Sequence, residues 1–175
     1  SSSPPCPSAS DTELSAGAPS HSVAIVAVSL AAHHDEQSRR FVAGYRRAGL
    51  NVSVVHAVDG FNTTDVIEAL FQTHVPFRNL SKGAKKWGKL AAFLSKLRAL
   101  EHQVAHRHAF QLTMEDDLHL RQPAFARMLT AACDVYARHP NTTLIQLSPY
   151  TELLLTSLDG ARLLLELVRA KGILR

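Results

Sequence analysis

Short apolar runs alternate with stretches of helical period along most of the chain. Val23-Ala24-Ile25-Val26-Ala27-Val28 is continuously apolar and β-branched, which predicts a buried first strand. A helix is expected from Asp35 to Ala48, with Phe41, Val42 and Tyr45 on one side and Gly49 as its stop. Val52 to Val55 reads as a second strand, and Asp59-Gly60 as a turn. Thr64 is placed to cap a short helix through Phe71, and Pro76 to Gly83 reads as a loop. From Trp87 to Ala105, Leu90, Phe93, Leu94, Leu97, Leu100 and Val104 recur at helical spacing, while Lys89, Lys96, Arg98 and His102 fall on the other side. Ala109 to Met114 predicts a strand. Pro123 suits the first turn of a helix running to Arg138. Strands over Thr143–Leu147 and Leu153–Thr156 and a last helix over Asp159–Ala170 complete the pattern.

Strands alternating with helices predict an α/β, Rossmann-like layered fold with a mainly parallel central sheet flanked by helices. Residues 1–21, rich in Ser, Pro and Ala without period, read as a disordered leader or stem. Residues 22–175 then form one domain, long enough for a sizeable core.

A formal charge of +4 with ten histidines favours anionic partners, nucleotides included, without identifying one; no nucleic-acid partner is expected. Of the two cysteines, Cys6 lies in the leader and Cys133 in a predicted helix; a bridge between them stays open, and a free buried Cys133 is the expectation. Each of the four asparagines, Asn51, Asn62, Asn79 and Asn141, heads an N-x-S/T sequon. That coincidence has a chance on the order of one in two thousand and points to the lumen of the secretory pathway, Golgi or endoplasmic reticulum. No apolar run approaches the roughly 18 residues of a membrane span.

The most telling segment is Thr113-Met114-Glu115-Asp116-Asp117-Leu118, where a strand empties into three acids. Crowded carboxylates repel unless a cation or donor sits among them, and oxygen clusters suit the hard ions Mn²⁺ and Mg²⁺. Open α/β sheets bind ligands at the carboxyl ends of their strands. A solvated turn is the competing reading. Strand alternation brings Glu115 and Asp117 to one face and turns Asp116 away.

The order of these pieces resembles the family 25 glycosyltransferases, which include lipooligosaccharide and collagen hydroxylysine galactosyltransferases and have a GT-A type nucleotide-binding fold. The resemblance covers residues 23–170. It rests on the opening strand followed by Arg39-Arg40, on Ala57-Val58-Asp59-Gly60, on Phe93-Leu94-Ser95-Lys96, on Glu115-Asp116-Asp117, and on Ser157-Leu158-Asp159-Gly160-Ala161. It implies transfer of a sugar, galactose included, from a nucleotide-sugar donor, UDP-linked by preference, to a glycan or protein acceptor. By the same resemblance Asp117 and Glu115 hold Mn²⁺ or Mg²⁺. Arg39, Arg40, Asp59, Gly60, Ser95, Lys96 and Asp116 serve the donor, and residues 1–21 are a stem left after removal of a membrane anchor. The general base is not identified; Glu152 and Asp159 lie in the right part of the chain.

The departures are specific. Ala91-Ala92 stand where the family has Gly-Cys, and Lys96 stands for its histidine. The stretch from Tyr150 to Ser157 is short, and the chain stops before the family's later acids, which leaves open a divergent enzyme, a fragment lacking part of its acceptor site, or an inactive relative. A non-catalytic binding domain and a metal-dependent phosphohydrolase therefore stay open beside the transferase. Bland readings compete at single positions too: a solvated helix face for Arg39 and Arg40, a β-turn for Asp59-Gly60, helix packing for Ser95, and a solvated basic face for Lys82, Lys85, Lys86 and Lys89 around Trp87. His33-His34-Asp35 is discounted as a metal site. His102, His106 and His108 sit near a helix end, where the dipole accounts for them.

Overall fold

The computed structural model describes residues 23–47, 50–74, 84–116, 118, 124–149 and 152–171, and these form five strands and five helices, with two helices in succession before the third strand and two strands in succession before the last helix. The strands are β1 (Ala24–Ser29), β2 (Val52–His56), β3 (Phe110–Glu115), β4 (Leu144–Gln146) and β5 (Leu153–Ser157). The helices are α1 (Ala31–Arg47), α2 (Thr63–Thr73), α3 (Ala84–His106), α4 (Ala124–Arg138) and α5 (Leu158–Lys171). Sheet order is β2-β1-β3-β5-β4. β1 pairs in parallel with β2 and β3, with Val28 opposite both Val55 and Glu115. β5 runs antiparallel to β3 and β4, with Leu112 opposite Leu155. The fold is thus α/β with an open mixed sheet, parallel across β2, β1 and β3. The expectation of a mainly parallel sheet holds for that part and fails at β5.

Period-two alternation divides the core between the two faces of the sheet. Ile25, Ala27, Leu112, Met114 and Leu155 pack with Tyr45 of α1 and with Phe125, Ala132, Cys133 and Tyr136 of α4. On the other face Leu90, Leu94, Leu97 and Leu100 of α3 join Val66 and Ala69 of α2 and Ala161 and Leu165 of α5. The polar row Gln111-Thr113-Glu115 lies on the α3 side of β3, where Gln111 Nε2 donates to Ala99 O at 2.7 Å. Buried Tyr136 donates to Leu155 O at 2.8 Å, and burial pushes its phenol well above the ordinary tyrosine range.

Element ends differ from expectation for identifiable reasons. α1 begins at Ala31, four residues before Asp35, because the polar stretch there hid its period. Asn62, not Thr64, caps α2: its side chain accepts from the Thr64 and Asp65 N–H groups. α5 begins at Leu158, and Ser157 Oγ accepts from Gly160 N–H at 3.1 Å in the N-cap manner. Gly160 tolerates no side chain, since a Cβ would lie 2.1 Å from Thr143 O. The expectation of a free Cys133 is overturned: Cys133 is buried and disulfide-bonded. Burial alone does not tell a thiol from a half-cystine, which is why the sequence misled. Cys6 is the only other cysteine in the chain and lies outside the described residues.

Candidate active site

β1 and β3 end side by side, and the chain leaves β1 for β2 on one side before returning past β1 to β3 on the other. The point where such an order reverses leaves a crevice at the carboxyl ends of the strands. Here a cavity of about 270 Å³ opens at that place. Leu30 bounds it after β1, Gly60 and Phe61 after β2, Thr113 to Asp116 along β3, Glu152 ahead of β5, and Gly88, Ala91, Ala92, Ser95 and Lys96 along α3. Its volume is near the lower end of the roughly 300–1,000 Å³ usual for small-molecule sites.

Glu115 and Asp116 both face this cleft. Lys96 Nζ lies 3.1 Å from Glu115 Oε1, both side chains being part-exposed. Ser29, buried at the end of β1, donates from its hydroxyl to Asp116 Oδ2 at 2.6 Å. Alternation would have turned Asp116 away, but β3 ends at Glu115 and the chain turns at Asp116, so the rule stops one residue too early. Asp117 lies outside the described residues. Glu152 is held beside Glu115 by the backbone bond from Glu115 N–H to Glu152 O at 3.1 Å. Because β5 runs against β3, its first residues reach the cleft and its last lie at the far end of the sheet.

That direction brings one of the two expected candidates to the cleft and leaves the other away from it. Glu152 lines the cleft; Asp159, exposed in the first turn of α5, does not, and pairs with Arg162 at 3.2 Å. Arg39 and Arg40 are not brought to the cleft either. Both are exposed, well along α1, and Arg40 pairs with Glu36 one turn earlier. Asp59 does not line the cleft but orders its rim: its carboxylate accepts from the Phe61 N–H at 2.8 Å, and its own N–H donates to Asp65 Oδ2 at 2.6 Å. Gly60 lies against α3, where a Cβ would stand 2.8 Å from the Gly88 Cα. Ser95 lines the cleft with its hydroxyl engaged, donating to Ala91 O at 2.7 Å and accepting from the Val58 N–H at 2.8 Å. Trp87 packs against the α3 core, and of the lysines around it only Lys89 has a described side chain, which is exposed.

Sequence reasoning missed Phe61. Its ring is 98% exposed at the mouth of the cleft, presented by the Asp59 turn. The available signal was an aromatic residue directly after Asp-Gly. Chemically, the described lining of the cleft combines carboxylate oxygens, the Lys96 ammonium, an apolar floor of Val28, Ala91 and Met114, and an exposed aromatic ring. No family model matches this chain, and no curated protein does.

Proposed function

We propose that this chain is a GT-A-like, nucleotide-sugar-dependent glycosyltransferase domain, transferring a sugar such as galactose from a UDP-sugar to a glycan or protein hydroxyl. The observation that carries the reading is the acid-ended strand β3 opening, beside Lys96, into a cleft where the strand order reverses. The motif order described above adds the donor class.

Glu115 and Asp116 offer hard carboxylate oxygens, the donor set that suits Mn²⁺ or Mg²⁺, and the family resemblance adds Asp117. A divalent ion, when bound, stabilises negative charge on the departing diphosphate. The chain's own groups have separate tasks. Lys96 adds fixed positive charge at the same place. Phe61 offers a face for a base or sugar ring. The small residues Gly88, Ala91 and Ala92 let a ligand approach the helix closely. Glu152 is the carboxylate available to take the acceptor proton.

A second reading, donor binding without transfer, is favoured by the Lys96–Glu115 ion pair, which already neutralises one acid of the cluster. Turnover separates the two. For location we propose the secretory lumen, with any membrane attachment through a segment other than those described. Asn51, Asn62 and Asn141 are exposed, as glycan acceptors must be, and Cys133 is oxidised, as lumenal cysteines are. No helix among the described residues is long and apolar enough to cross a membrane.

Thermal unfolding with Mn²⁺ and a panel of nucleotides tests the reading. A ligand at a hundred times its Kd adds about 2.7 kcal/mol to stability. The expected result is a Mn²⁺-dependent rise with one nucleotide, abolished in Glu115→Gln. Phe61→Ala should weaken that nucleotide several-fold, by about 1 kcal/mol, with the unliganded stability unchanged. Absence of any shift in folded protein rejects the site. UDP release that needs an acceptor supports transfer; phosphate release without one supports a phosphohydrolase instead.

A further inference from the structure

At the end of the sheet away from the cleft, three histidines converge. His102 and His106 stand one turn apart on α3, so their side chains share a face. His108 follows the helix, yet it is folded back onto the same face by the way α3 ends. Arg107 takes the left-handed conformation with φ 54°, its N–H bonds Val104 O at 3.3 Å, and the His108 N–H bonds Gln103 O at 3.1 Å. That pair of bonds is the Schellman ending, which reverses the chain over the last helical turn. One ring nitrogen from each histidine lies within 4.8 Å of the other two. The His102 and His106 rings stack at 4.1 Å, and each lies 5.6 Å from the His108 ring.

The neighbours of these rings decide where their protons sit. His106 Nδ1 is 2.9 Å from His102 O, and a carbonyl oxygen only accepts, so Nδ1 carries the hydrogen. His102 Nδ1 is 3.3 Å from Gln111 Oε1. The Gln111 amide is oriented unambiguously, because its Nε2 donates to Ala99 O at 2.7 Å and to Thr113 Oγ1 at 3.1 Å. Its oxygen therefore faces His102, and His102 Nδ1 is a donor as well. In both rings the lone pair is left on Nε2. Nδ1–H bonds to carbonyl oxygens are the usual outer partners of metal-ligating histidines, fixing tautomer and ring orientation. His108 is anchored through its backbone: Gln103, fully buried, donates from Nε2 to His108 O at 3.2 Å and to Thr156 O at 3.0 Å.

We propose that His102, His106 and His108 bind one divalent transition-metal ion, Zn²⁺ foremost, through three imidazole nitrogens, with a fourth position left for water. Three nitrogens and no carboxylate form a borderline donor set that takes Zn²⁺, Cu²⁺, Ni²⁺ or Co²⁺ in preference to Mg²⁺ or Mn²⁺. Tetrahedral Zn–N bonds of about 2.0–2.1 Å place ligand nitrogens roughly 3.4 Å apart. The rings close to that spacing by side-chain rotation, since all three are at least part-exposed and only their backbones are pinned. The ion clips the end of α3 to the start of β3. With β3 rising about 3.3 Å per residue from Phe110 to Glu115, this site is some 16 Å from the acid cluster and independent of the function proposed for it.

Zn²⁺ alone, titrated calorimetrically into the untagged chain after chelator treatment, tests the site. One Zn²⁺ per chain is expected, with Mg²⁺ unable to compete. His106→Gln, an exposed position, should lower affinity at least about tenfold, and His108→Gln should do the same if the first variant fails to fold. Glu115→Gln should leave Zn²⁺ affinity unchanged. Cobalt in place of zinc should give the absorption of a four-coordinate ion. No stoichiometric binding, unchanged affinity in both histidine variants, or loss of binding in Glu115→Gln would each overturn the assignment.

Discussion

The Ser95 hydroxyl donates to Ala91 O and accepts from the Val58 N–H, so both its capacities are used inside the scaffold although its side chain borders the cleft. It ties α3 to the segment after β2 that carries the cleft rim. Ser95→Ala leaves a buried backbone N–H without an acceptor and should cost about 1–3 kcal/mol in chemical denaturation. Nucleotide affinity should hold in the folded fraction; a loss of affinity at unchanged stability would mean that Ser95 touches ligand. At this scale the acids were legible, because three carboxylates after an apolar run stand out in any sequence. Phe61 was not, because exposure at a rim depends on the Asx turn made by Asp59, and no periodicity encodes that.

Single elements carry the next set of differences. Strand positions follow from apolar runs, which is why β1, β2, β3 and β5 fall within a residue or two of expectation. Strand direction does not, since alternation reads the same both ways. The reversal of β5 is the reason Glu152 reaches the cleft while Asp159 sits at the other end. The Ser157–Ala161 segment that looked family-like has a local explanation: Ser157 caps α5, Gly160 passes against Thr143 O, and Ala161 is buried. α2 offers a test of capping that is entangled with modification. Asn62 is both its N-cap and the acceptor of the Asn62-Thr63-Thr64 sequon. Asn62→Gln should lower stability by about 1 kcal/mol. Thr64→Ala abolishes the sequon but keeps the cap, and in unglycosylated protein should stay within about 0.5 kcal/mol of the parent. Equal losses in the two variants would sink the cap assignment.

For the whole molecule, the layered α/β plan was legible because strands and helices alternate, and the helices fall on both faces as expected. The order β2-β1-β3-β5-β4 was not, because pairing between distant segments leaves no mark in local periodicity. That order gives the sheet two outer strands among the described residues, β2 and β4. Each presents unpaired backbone groups to which a second chain could add, a hazard that proteins blunt in several ways. One is visible in β4, which is only three residues long. Another follows from where the sequons fall. Asn51 stands immediately before β2 and Asn141 three residues before β4, both exposed. In the lumenal setting proposed above, carbohydrate at these asparagines flanks the sheet on its left and right margins like a pair of bumpers. Enzymatic removal of N-linked sugar from the folded protein should then increase self-association, as read by light scattering. If the stripped and sugared forms scatter alike, the margins are protected by strand length alone.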